Sequence, residues 1–310
     1  MDKEIVLIDC DPGVDDAYAL LYALADESLD VRLIATVSGN VPVDVTTDNA
    51  QRIVAMTKKN VPIVKGSKRP LLKKPHYAEN IHGKNGMNNY IYPNDNKAPL
   101  LDEDVLTAYR RIIMSANKPV VISATGPLTN IARLFLTYPE VKDKIKLLSV
   151  MGGGLKGGNT TFAAEFNFYV DPDAASIVFD SGVEIIMAGL DVTEKATITN
   201  EFLSEISQLN DKGKFLADIM TNDSPYVKMD SGCLHDVVAL MAIKHLDIFQ
   251  YQNIDIYIET EEGLTRGMTI KDFRTENENK NKGKVKVLLD LDINAFRSEL
   301  KEKIKNYSKY

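Results

Sequence analysis

The 310-residue chain has a formal net charge of −7, a pI near 5.3, 44% hydrophobic and 26% charged residues, ordinary globular values that exclude a collagen-like, disordered or strongly basic chain. Acidity and the lack of a basic stripe interleaved with aromatics argue against nucleic-acid binding; the basic clusters at 65–74 and 280–286 read as solvated loops. Cys10 and Cys233 are too few and too far apart for a disulfide framework or a Cys-based zinc site, and no apolar run is long enough to span a bilayer, so a cytoplasmic protein away from membranes is expected.

Residues 5–24, IVLIDCDPGVDDAYALLYAL, open the chain with an apolar strand, a Pro-Gly turn and a helix whose Ala17, Leu20, Leu21 and Leu24 recur at helical spacing. A strand at 31–37, a helix at 43–59 and a short strand at 61–64 follow, with Pro62 arguing for a strand start or an edge. This alternation is the signature of a parallel sheet. Residues 66–99 break the rhythm with a long Gly, Pro, Asn and Lys-rich loop, of a length that is usually functional or disordered.

Regularity returns with a helix at 102–116, a strand at 120–123, a helix at 128–136 and the strand Ile145–Met151, which runs into three glycines. An irregular segment at 155–171 precedes a helix at 173–179, a strand at 183–188 and a long helical stretch at 200–220 interrupted near Gly213. Residues 223–232 read as a second loop, and Leu234-His235-Asp236 opens a helix over 237–245. Alternating or apolar runs at 254–259 and 284–289 suggest antiparallel strands beyond the parallel core, closed by an amphipathic helix at 294–307. The expected architecture is a single α/β domain over residues 1–310: an open, mostly parallel sheet flanked by helices, with a few antiparallel strands near the C-terminus.

Asp9, Asp11, Asp15 and Asp16 crowd the first strand-to-helix junction. Alternation puts Asp9 and Asp11 on one side with Cys10 opposite, while Asp15 and Asp16 fall in the first helical turn, where the dipole favours negative charge. A lone Asp here would be an N-cap or turn residue. Four of them, at the carboxyl end of a strand where open α/β sheets place their ligands, would hold protons at neutral pH or need a cation, and oxygen ligands suit a hard one.

The blocks DCDPGVDDAYAL (9–20), SGN (38–40), NIHGKNG (80–86), TGPLTNIA (125–132), VMGGG (150–154), AEFNFYVDPDAA (164–175) and LHD (234–236), in this order, resemble the nucleoside hydrolase family, the inosine-uridine type nucleoside N-ribohydrolases. The resemblance implies hydrolysis of ribonucleosides to free base and ribose, as in nucleoside salvage, at a pocket with one Ca2+. Matching positions give Asp11, both oxygens of Asp16, the Thr125 carbonyl and Asp236 as metal ligands, completed by the ribose 2′ and 3′ hydroxyls and a water. Asp11 would be the general base on that metal-bound water, with an oxocarbenium-like transition state. Asp15 would take the 2′ hydroxyl, Asn167 and Asp236 the 3′ hydroxyl, Asn159 and Glu165 the 5′ hydroxyl, and Asn40 and Met151 would line the ribose and water side.

His82 and His235 match the positions the family uses around the leaving base, where a donor helps as electron density builds on it. Tyr226 is the candidate aromatic over the base, against an ordinary packed Tyr. His76 and His245 read as surface or packed residues, Cys10 and Cys233 as small buried hydrophobes, and Asp191 as a structural residue at a strand end. The chain has no Trp, which counts against the purine-specific branch, and the base stays open among inosine, uridine, cytidine and modified nucleosides. The family also implies a homotetramer or homodimer. Two alternatives stand beside hydrolysis: a ribonucleoside-binding or sensor protein without turnover, and a haloacid-dehalogenase-like phosphatase using Asp9 of the DxD pair as nucleophile.

Overall fold

Along β1 (Glu4–Cys10), Val6, Ile8 and Cys10 point into one apolar cluster and Ile5 and Leu7 into another, so the strand is buried on both faces. That is the environment of a central strand in a sheet covered by helices on both sides. The computed structural model describes residues 3–221, 225–230, 232–272 and 285–309.

The further strands are β2 (Leu29–Thr36), β3 (Ile63–Lys65), β4 (Val120–Ala124), β5 (Ile145–Met151), β6 (Ile185–Ala188), β7 (Phe249–Ile254), β8 (Ile256–Ile258), β9 (Thr269–Lys271) and β10 (Val285–Leu291). Eight of them make one sheet in the order β3-β2-β1-β4-β5-β6-β10-β7, and β8 and β9 make a separate antiparallel pair. Among the named strands β3 pairs with β2 alone, at the edge that Pro62 suggested, and its Ile63 makes one further bridge to Leu100.

The helices are α1 (Val14–Ala25), α2 (Val43–Thr57), α3 (Glu79–His82), α4 (Val105–Ser115), α5 (Thr129–Thr137), α6 (Phe166–Val170), α7 (Pro172–Phe179), α8 (Leu190–Thr193), α9 (Asn200–Ser207), α10 (Asp211–Thr221), α11 (Pro225–Asp230), α12 (His235–Met241) and α13 (Ile293–Asn306). Apolar residues of α1, α2, α9, α10, α12 and α13 fill the cluster on the Val6–Ile8 face, and those of α4, α5 and α7 fill the other. The order reverses between β1 and β4, each of which connects onward to its own outer strands. At such a switch point the loops after the two strands part and leave a crevice at their carboxyl ends.

Several local expectations change. The run at 254–259 is two strands separated at Asp255, one in each sheet. β10 pairs antiparallel with β7 but parallel with β6, so it extends the core run; its first expected residue, Lys284, lies outside the described residues, as do 280–283 of the basic cluster. The break in 200–220 falls at 208–210, and Gly213 sits inside α10: a Cβ there would lie 2.0 Å from the Ile206 carbonyl oxygen, so glycine allows α10 to pack on α9. The expected loop at 223–232 contains α11, and its positions 223, 224 and 231 lie outside the described residues. α12 begins at His235, which puts His235 and Asp236 in its first turn.

Candidate active site

Asp11 follows the last residue of β1, and its carboxylate fits a slot made by two glycines. A Cβ on Gly39 would lie 2.0 Å from Asp11 Oδ2, and one on Gly126 would lie 2.6 Å from Oδ1. The SGN and TGP blocks therefore supply clearance as well as polar groups. The Asn40 main-chain N–H donates to Asp11 Oδ2 at 2.7 Å, whereas the buried Oδ1 has no hydrogen-bond partner among the described residues.

At the start of α1, Asp16 Oδ2 accepts the Gly13 N–H at 3.0 Å and Asp16 Oδ1 accepts the Thr125 hydroxyl at 2.8 Å. Oxygen atoms of Asp15, Asp16 and Asp236 lie within 4.8 Å of one another, and all three residues are buried. Asp11 is outside that tightest group but close enough for its charge to be felt. Burial, then Asp16 and Asp15, push the Asp11 carboxyl well up. Burial and Asp15 raise Asp16 to about 7, and burial followed by Asp15, Asp16 and Asp11 pushes Asp236 well up.

Protons and a cation are the two ways to neutralise such a cluster. Buried orphan oxygens on Asp11 and Asp15, an all-oxygen donor set and the nearby Thr125 carbonyl make it suitable for a hard divalent ion.

Asp9 stands apart. β1 ends at Cys10, so strand alternation does not extend to Asp11, and the expected common side is not found. Asp9 Oδ2 accepts from the Tyr109 hydroxyl at 2.6 Å and from Asn130 Nδ2 at 2.9 Å, towards α4 and α5. Burial lifts its carboxyl to about 7 against the pull of these two donors. Fully buried and not lining the cavity, Asp9 gives the phosphatase alternative no accessible nucleophile.

Above the carboxylates opens a cavity of about 180 Å³. Asp15, Asn40, Thr125, Met151, Asn167 and Asp236 line its inner part. Asn167 Nδ2 donates to the Thr125 carbonyl at 2.9 Å and reaches the Met151 carbonyl at 3.2 Å, tying the ends of β4 and β5 together. Glu165 lines the cavity too, but its carboxylate caps α6: Oε1 accepts from Asn167 N, and Oε2 from Gly153 N and Phe168 N. Burial raises the Glu165 carboxyl, with those three N–H groups opposing. Asn159 lies at the exposed rim, where its Oδ1 accepts from Phe166 N at 3.0 Å.

The remaining wall comes from three separate helices, α3, α11 and α12. His82 ends α3, its ring tilted against that of buried Tyr226 with centroids 5.2 Å apart, and the Tyr226 hydroxyl donates to the Cys233 carbonyl. His235 Nδ1 lies 2.8 Å from the Thr193 hydroxyl at the end of α8. Ala78, Ile81, Thr160 and Phe166 also line the cavity, and sequence reading did not single them out. Ile81 and Phe166 lie within the quoted blocks at 80–86 and 164–175, next to His82 and between Glu165 and Asn167, a signal that could have found them. Thr193 lies two residues from Asp191, whose Oδ2 accepts the Leu155 N–H as a structural residue would. His76 packs on Phe166 and Tyr169 and His245 faces Glu299, neither histidine itself lining the cavity, and both cysteines are buried and outside any disulfide among the described residues. Among the described residues no helix is long and apolar enough to cross a membrane.

Known proteins share this architecture. A non-specific ribonucleoside hydrolase, RihC, of Escherichia coli is 39% identical over 268 residues, covering 86% of this chain and 88% of that protein. The structure of a purine-preferring ribonucleoside hydrolase from Gardnerella vaginalis superposes with a TM-score of 0.89 at 31% identity, over 99% of both chains. A plant nucleoside hydrolase, PpNRh1, gives 0.88 at 26% identity, over 97% of this chain and 99% of that one. The profile described as inosine-uridine preferring nucleoside hydrolase matches residues 6–298, and the chain belongs to that family.

Proposed function

We propose that this protein is a calcium-dependent, single-domain ribonucleoside hydrolase that cleaves the N-glycosidic bond to give free base and ribose. The observation that carries this reading is the pairing, in one cavity at the switch point, of buried carboxylates with two histidines. Bond cleavage develops positive charge on the ribosyl ring and negative charge on the departing base. The carboxylates suit the first and the histidines suit the second.

Asp11, Asp16, Asp236 and the Thr125 carbonyl would hold the cation. When bound, it supplies fixed positive charge that binds the ribose diol and eases deprotonation of a water. Asp11 takes the proton from the attacking water: its Oδ2 is fixed by Asn40 and its Oδ1 is without a partner among the described residues. Asp15 accepts from the 2′ hydroxyl, and Asp236 with Asn167 binds the 3′ hydroxyl. Asn159 Nδ2 donates to the 5′ hydroxyl beside Glu165, whose oxygens already hold main-chain N–H groups.

Ile81, Phe166 and Tyr226 give the base end flat or apolar surfaces that stack on purines and pyrimidines alike. We therefore infer broad base tolerance, consistent with the name of the Escherichia coli relative. A homodimer or homotetramer accompanies this reading. Incubation with inosine, uridine, cytidine and guanosine plus calcium, with assay of reducing sugar, tests it. Ribose from several nucleosides is expected; none from any of them would favour a binding protein without turnover.

A further inference from the structure

α1 carries Asp15 and Asp16, yet its N-cap is Gly13, which has no side chain to satisfy the first main-chain N–H groups of the helix. Asp16 answers one of them by accepting the Gly13 N–H. The Val14 N–H, on a residue with no exposed surface, donates instead to Nδ1 of His82 at 3.1 Å, across 68 residues of chain. A buried N–H without an acceptor is costly, so this contact has structural weight.

Glycine at 13 is what admits the imidazole. A Cβ there would lie 2.6 Å from His82 Nδ1 and 2.9 Å from its Cε1. The loop bearing His82 is pinned to the same turn a second time, because buried Asn49 Nδ2 donates to both the Pro12 carbonyl at 3.0 Å and the Asn85 carbonyl at 2.9 Å. Tyr226 closes against the ring from α11.

We propose that His82 is a positioning residue: it caps α1 in trans and so fixes the helical turn that presents Asp15 and Asp16. An Nδ1 that accepts a main-chain N–H is unprotonated, so the neutral ring carries its proton on Nε2. That single tautomer follows from Val14 alone. Protonating Nδ1 would break the cap and set a cation against the positive end of the helix dipole. His82 therefore meets the substrate as a fixed Nε2–H hydrogen-bond donor. The consequence for cation binding rests on the assignment of Asp16 as a ligand made above; the cap itself does not.

Three measurements test this. In protein labelled with 15N-histidine, long-range 1H–15N spectra should show one ring with unprotonated Nδ1 and Nε2–H, absent from the spectrum of His82→Asn; an Nδ1–H tautomer overturns the proposal. His82→Ala should lower the melting temperature of the metal-free protein by roughly 2 °C, the size of a lost cap in a chain this long, and weaken calcium binding by calorimetry about tenfold. His82→Asn, whose Oδ1 can replace Nδ1 as acceptor, should recover most of both without recovering turnover. If His82→Ala melts and binds calcium like the wild type while turnover falls, His82 acts on the leaving base alone, and the cap is refuted with the hydrolase reading intact. A wild type with the expected tautomer but no ribose release would do the reverse.

Discussion

Asn167 Nδ2 donates to the main-chain carbonyl of Thr125 at 2.9 Å, joining the residue after β4 to a side chain that also reaches the carbonyl of Met151, the last residue of β5. The carbonyl it touches is the one proposed for the cation, so in that reading Asn167 would set the orientation of a main-chain ligand as well as face the sugar. Asn167→Leu keeps the volume and removes the donor. Two buried carbonyls would lose it, at a cost of about 1–3 kcal/mol. The expected result is a lower melting temperature together with weaker calcium binding measured without nucleoside. Loss of turnover alone would confine Asn167 to the sugar.

Asp11→Asn keeps an oxygen for the Asn40 N–H and removes both the proposed base and one ionisable carboxyl. Turnover should fall roughly 10²–10⁴-fold, the usual worth of a general base. Nucleoside binding should survive in part, because Asp15, Asp16 and Asp236 remain. Rates within a factor of two of wild type would refute Asp11 as the base.

The opening strand, the turn and the ordered polar blocks were legible because they are local: β1, α1 and the residues after each strand follow from apolar periodicity and from glycine and asparagine at strand ends. What was not legible depends on distant partners. Nothing in residues 9–16 shows that Asp9 turns towards Tyr109 and Asn130, a hundred and more residues away, while Asp11 turns to the Asn40 main chain between Gly39 and Gly126. His82 was found as a motif residue, but its contact with Val14 depends on how the 66–99 loop folds back. Gly213 read as a helix break because its reason, the Ile206 carbonyl, lies on another helix. The strand order that makes β10 part of the core is likewise a matter of tertiary contact.

Calcium and pH should act on stability together. Burial and mutual repulsion raise the carboxyls of Asp11, Asp16 and Asp236 above their ordinary value of 3.8, Asp16 to about 7. Between those pH values the folded protein holds more protons than the unfolded chain, so stability contributed by these groups falls as pH rises through the window. A bound cation replaces the protons and is favoured by their loss. Thermal melts with and without calcium should therefore diverge from pH 5 to pH 8, with the metal-free protein losing more. A calcium-induced gain that is equal at both ends would mean that the cluster is not the site. In Asp11→Asn, with one raised carboxyl fewer, the metal-free protein should lose less over the same range.

Thr193 and His235 offer a further test. The Thr193 hydroxyl lies 2.8 Å from His235 Nδ1, on a residue with no exposed surface. Thr193→Val keeps the shape and removes a hydroxyl that holds the ring. If His235 assists departure of the base, its value depends on how much help that base needs. A hydroxyl lost from one hydrogen bond of about 1.4 kcal/mol lowers the rate roughly tenfold. That loss should appear with inosine or uridine and shrink with a p-nitrophenyl riboside, whose leaving group departs as a stable anion without a proton. Calcium binding should be unchanged, since Thr193 touches none of the carboxylates assigned to the ion. Equal losses for both substrate kinds would place Thr193 in general packing and deny His235 a role in leaving-group departure.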